Sequence, residues 1–126
     1  MKASLLASLF VTLLIAHSQN ALAQASHTSA GIALDSAWKQ TVYQFAEENL
    51  QHSAWGLEHY ERNYLLATEL ARQDSLTVDE EVLFAAAFLH DMGTFAPYAV
   101  AGAEHSQTAV DNLESVLIDA GFPSEK

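Results

Sequence analysis

Cysteine is absent from this chain. Disulfides, thiolate metal ligands and a cysteine nucleophile are therefore excluded, and any metal must be held by histidine and carboxylate. Basic residues are scarce: 5 Lys and Arg stand against 16 Asp and Glu in 126 residues, a formal charge of −11. Binding to a phosphate backbone needs basic side chains, so nucleic acid is not expected as a partner. The acid is spread along the chain and suits a solvated surface. No strand pattern, internal repeat or low-complexity tract stands out, and neither does a P-loop, a dinucleotide fingerprint or a serine-nucleophile motif.

What the chain does have begins with an address label. Met1-Lys2 is a short basic start, Leu5 to Ala16 is dominated by apolar residues, and Ala21-Leu22-Ala23 fits a small-x-small cleavage site. The pattern predicts a signal peptide over 1–23, because the apolar stretch is short of the roughly 20 residues that a membrane span needs. Its removal takes away Lys2 and no acid, leaving 4 basic and 16 acidic residues and a formal charge of −12. No second hydrophobic span follows. The expectation is an exported protein, periplasmic or secreted, with no membrane attachment after cleavage.

Residues 24–34 are small and polar and read as a flexible lead-in. Four helices are predicted after it. The first runs from Ser36 to Asn49, with Ala37, Val42, Phe45 and Ala46 on one stripe. Gln51 to Gly56 is a connector. The second helix spans Leu57 to Gln73, with His59, Asn63, Leu66 and Leu70 along one face and Glu58 placed to support Arg62 across one turn. Thr77 and Glu80 match a capping box for the third helix, which is expected to reach about Asp91. Thr94 to Gly102 reads as a loop. Glu104 to Ala120 is the fourth helix, with Ala109, Val110, Leu113, Leu117 and Ile118 on its apolar side and Gly121 as its cap. The third helix is so apolar that these companions do not cover it. More chain beyond Lys126, or a partner chain such as a homo-oligomer, is expected to do so.

The third helix ends on His90-Asp91, then Gly93. Two ionisable groups at the end of the run Val82 to Leu89 are costly to bury without a partner. A divalent metal satisfies both, since imidazole nitrogen and carboxylate oxygen suit Zn, Fe, Mn and similar ions. His59 on the second helix is the candidate third ligand, provided the two helices pack together. Taken singly, a histidine on a helix is more often structural or exposed than a ligand.

His59-Tyr60-Glu61-Arg62-Asn63-Tyr64 and, further on, Ala86-Ala87-Phe88-Leu89-His90-Asp91-Met92-Gly93 resemble the HD-domain superfamily of metal-dependent phosphohydrolases. That family pairs a His-x-x-Arg helix with a His-Asp doublet followed closely by glycine. Trp55-Gly56 and Thr94 look like the branch that contains cyanamide hydratase. The resemblance covers roughly residues 44–126. It implies an all-α, HD-domain-like helical bundle, incomplete, with about four helices after the signal peptide. Residues 35–126 would then be the N-terminal portion of such a domain. It further implies His59, His90 and Asp91 as metal ligands, with Asp91 also catalytic. The family's last ligand is an aspartate well downstream of the doublet, and Asp111 and Asp119 stand too near to match it. His105 is in the region where some members bind a second metal or substrate phosphate; otherwise it is an exposed first-turn residue. Arg62 could orient a substrate anion or pair with Glu58. His52 reads as a connector residue and His27 as part of the lead-in, while Tyr60, Tyr64 and Trp55 read as core or rim aromatics.

The chemistry so implied is hydrolysis of a phosphate ester or nucleotide, or hydration of a small nitrile-like substrate, by a metal-activated water. The cofactor is a divalent ion (Mn, Fe, Ni, Zn or Mg) and the partner a small-molecule substrate. The alternative is a non-catalytic helical binding module, a degenerate or truncated HD domain.

Overall fold

The computed structural model of the chain describes residues 26–126; the signal peptide expected at 1–23 lies outside the described residues. Four α-helices and one 3-10 turn form the regular structure among them, so the fold class is all-α. Helix α1 spans Ala37–Asn49. Ser36 caps it by accepting from the Lys39 amide, and Trp38, Val42 and Ala46, one helical turn apart, form its buried stripe. Helix α2 spans Leu57–Gln73, as the sequence predicts, and buries Tyr60, Glu61 and Ala71.

Helix α3 spans Glu80–Leu89. Its cap is not Thr77. Asp79 caps it instead, accepting from the amides of Glu81 at 3.1 Å and Val82 at 3.2 Å. A carboxylate there satisfies two otherwise unpaired amides and meets the positive end of the helix dipole. Lys126 pairs with the other oxygen of Asp79. The helix also ends before Asp91: Leu89 is its last residue and His90 its C-terminal cap. Met92–Thr94 is a 3-10 turn. Helix α4 spans His105–Ala120 and stops at Gly121, whose φ of 79° is left-handed and suits a residue without a side chain.

Helix α3 is the hub. Phe84 and Phe88 are fully buried and stacked on each other at 4.5 Å. Trp38 of α1 meets Phe84 edge-on at 5.5 Å, and Tyr64 of α2 does the same at 5.8 Å. Phe122, just past α4, closes on Trp38 at 4.9 Å. Loss of either phenylalanine would cost about 3–5 kcal/mol. The helix is not buried all round, however. Val82 and Ala86 are exposed and face a groove of about 760 Å³ shared with Val110, Leu117 and Ile118. Val110 and Ile118, expected on the core side of α4, are exposed; Ala109, Leu113, Val116 and Leu117 make the contact instead.

The lead-in also differs from expectation over the residues described. His27 bridges to Ala33, and Ile32 and Leu34 belong to the core. Ser29 donates to both carboxylate oxygens of Glu61 at 3.0 and 2.9 Å, and the Ala30 amide donates to one of them at 3.3 Å. Buried apolar side chains and a satisfied carboxylate tie this segment to α2.

Candidate metal centre

The pairing of α2 with α3 puts His59 opposite the end of α3. His59 is in the first turn of α2, and the fully buried Tyr60 beside it donates its hydroxyl to the Leu50 carbonyl at 2.9 Å. That anchor fixes the start of α2 against the end of α1. His90 and Asp91 follow Leu89, where the chain leaves the core, so they stand at its edge and not deep inside it. The side chains of His59, His90 and Asp91 are 26%, 39% and 15% exposed.

The three side chains converge on one point. His59 Nε2 lies 3.4 Å from His90 Nε2 and 3.3 Å from Asp91 Oδ2, and His90 Nε2 lies 3.2 Å from the same oxygen. A tetrahedral ion with bonds of about 2.0–2.1 Å has donor atoms about 3.3–3.4 Å apart, so these separations suit a shared cation. The hydrogen bonding agrees. His90 Nδ1 is 3.0 Å from the Ala87 carbonyl, which can only accept, so Nδ1 carries a proton and donates it. A neutral imidazole then has a bare lone pair on Nε2. That lone pair faces a carboxylate oxygen, an arrangement that repels unless a cation or an extra proton lies between them. A backbone carbonyl orienting a ligand histidine through its other nitrogen is the common arrangement around metals. The residues present therefore could hold a divalent ion.

The same centre acts on its neighbours. Burial pushes the Tyr60 phenol up to about 12, and the charge of Asp91 adds to the shift. Asn63, one turn beyond His59, has its amide 3.2 Å from His59 Nε2; the sequence placed it on this face but gave it no role. Trp55 lies 6.4 Å from His59 and is covered on one face by His52, stacked at 3.9 Å, so His52 packs against an aromatic ring at the rim.

Other candidates are not brought in. Arg62 lines a shallow cavity with Ser29, Glu58 and Glu61 that no residue of the triad lines. Among the described residues it forms no ion pair, with Glu58 or any other acid. His105 is the first residue of α4, exposed and 3.4 Å from Glu104, and is not grouped with the triad. Asp111 and Asp119 are exposed on α4, and Asp111 accepts from Gln107 at 2.8 Å. Comparison with known protein families, curated proteins and solved structures finds no match to this chain.

Proposed function

We propose that the chain is a metal-dependent hydrolase of HD type, with His59, His90 and Asp91 as ligands of a divalent ion. The observation that carries this reading is the convergence of three donor atoms, all within 3.4 Å of one another, from α2 and from the turn that follows α3, whose sequences match the His-x-x-Arg and His-Asp-x-Gly pattern. A bundle of four helices is consistent with the HD-like architecture. The substrate class is a phosphate ester or nucleotide, or a small nitrile-like molecule to be hydrated.

A divalent ion in this place would lower the pKa of water and polarise a phosphoryl or nitrile group. The chain's own part is positional and acid–base. His90 is held in one tautomer by the Ala87 carbonyl, so its Nε2 stays aimed at the site. Asp91 keeps Oδ2 toward the two histidines and can take up a proton on Oδ1, the general-base role. The side of the triad left exposed is where substrate would approach. Neither Arg62 nor His105 is grouped with the triad, so a role for them in substrate or second-metal binding requires their movement toward it.

Metal content of the purified protein tests the reading, with His90→Ala as control. Stoichiometric Mn, Fe, Ni or Zn, lost in the variant, supports it. Absence of metal after incubation with each ion overturns it. Stoichiometric metal without turnover of phosphate esters, nucleotides or nitriles favours the alternative, a binding module that keeps the fold but does no chemistry.

A further inference from the structure

We propose that Asn63 is a fourth protein donor to the cation, supplying its amide oxygen. This rests on the metal reading given above. Among the described residues, Asn63 is the one side chain outside the triad that lies within hydrogen-bond distance of a triad donor atom. As placed, its amide nitrogen Nδ2 is 3.2 Å from His59 Nε2, within the 3.2–3.4 Å range that separates the three triad atoms. The helix enforces the proximity: residues four apart stack on one face, so Asn63 follows His59 wherever α2 places it.

Lone-pair bookkeeping then decides which end of the amide faces the site. His59 Nε2 has one lone pair, and a cation bound by the triad takes it. An Asn63 N–H pointing at that nitrogen then has nothing to bond to and brings a positive hydrogen toward a cation. A half-turn of the amide puts Oδ1 in the same place, where it presents a lone pair. Amide oxygen is an ordinary ligand for hard and borderline divalent ions. The resulting set is two imidazoles, one carboxylate and one amide oxygen.

Other donors stay apart from the triad: Asp111 is engaged with Gln107 and His105 with Glu104, and neither they nor Glu58 is grouped with it.

Cobalt(II) is the probe, because its visible absorption reports donor type and coordination number as well as occupancy. Wild-type protein and the Asn63→Leu, Asn63→Asp and His90→Ala variants are loaded with cobalt, and affinity is measured by competition with a chelator. Folding of each variant is checked by its helical circular dichroism. The expected result is stoichiometric binding by the wild type, with Asn63→Leu at least about 10-fold weaker and its absorption band changed. Asn63→Asp should bind at least as tightly as wild type, because it keeps an oxygen donor and adds a charge. If wild type and Asn63→Leu bind with the same affinity and the same spectrum, the Asn63 assignment is wrong and the triad stands. If wild type takes up no cobalt, the metal reading fails and this assignment falls with it.

Discussion

The backbone carbonyl of His105 sits where a side chain on Gly93 would be: a β-carbon at Gly93 would come within 2.0 Å of that oxygen and 2.9 Å of the Ala109 amide. The glycine after the His-Asp doublet therefore has a packing reason. It lets the first turn of α4 lie directly on the 3-10 turn Met92–Thr94, which carries the chain out of the metal-ligand candidates. Backbone atoms cannot swing aside as a flexible side chain would, so Gly93→Ala must separate the two elements. The expected cost is about 1–3 kcal/mol or more, which for a chain of this size lowers Tm by about 4 °C per kcal/mol. A thermal melt checks this, and an unchanged Tm would show that α4 does not rest on Gly93.

Asp79, and not Thr77, is expected to control the start of α3. Asp79→Ala removes acceptors for the Glu81 and Val82 amides and for Lys126. The loss of such a cap costs about 0.5–2 kcal/mol, whereas Thr77→Ala should change stability by less than about 0.5 kcal/mol. Urea denaturation of the two variants separates them. A larger loss in Thr77→Ala than in Asp79→Ala would return the cap to Thr77. The Lys126 ammonium, and after it the capping amides of Val82 and Glu81, hold the Asp79 carboxyl below its usual range. The advantage should be present at neutral pH and be lost as acid protonates that group.

Much of this fold was legible before the structure, for identifiable reasons. The bounds of α2 follow from Gly56 before it and Asp74-Ser75 after it, and the end of α4 follows from Gly121. The apolar run of α3 marked the hub of the core. What periodicity could not supply was the rotation of each helix. His59, Asn63, Leu66 and Leu70 share a stripe, yet Leu66 and Leu70 are more than half exposed while Tyr60, Glu61 and Ala71 are buried. Burial follows from which neighbours are present, and a single helix does not record them. For the same reason Val110 and Ile118 face out of α4. His90 and Asp91 stood out in the sequence because two ionisable groups end an apolar run, and His59 joined them through the HD resemblance; the structure puts the pair at the edge of the core. Asn63 carried no signal in the sequence, since an asparagine on a helix stands out only once its amide is seen beside the His59 ring.

Alkaline stability should report on Tyr60. Its phenol ionises at about 12 in the folded chain against an ordinary value of 10.0. Below about pH 10 folded and unfolded chains both keep the proton, and this group makes no difference. Between about 10 and 12 the unfolded chain gives it up while the folded chain holds it, so stability falls as pH rises. Tm measured from about pH 9 to about pH 12 should decline more steeply in wild type than in Tyr60→Phe. The variant should start lower by about 0.5–1.5 kcal/mol for its lost hydrogen bond to Leu50. Parallel declines would mean that Tyr60 is not the group responsible. Tyr43 and Tyr64 are raised in the same direction, mainly by burial, and contribute background to both curves.

Glu61 is 3% exposed, and no Lys or Arg pairs with it among the described residues; its carboxylate is held by Ser29 and the Ala30 amide. An acid buried this way depends on its hydrogen-bond donors, since removing one leaves desolvated charge behind. Ser29→Ala takes away the hydroxyl that serves both oxygens and leaves only the 3.3 Å contact from Ala30. The expected loss is about 1–3 kcal/mol, far more than an exposed Ser→Ala change such as Ser53→Ala should produce. The damage should be local. Ile32 and Leu34 are held in the core partly because the turn before them is tied to α2, so limited proteolysis should cut within 26–34 faster in Ser29→Ala than in wild type. Glu61→Gln offers a neutral acceptor to the same hydroxyl and should keep most of the protection. If both variants are cut at the wild-type rate, the carboxylate is not what fastens the segment.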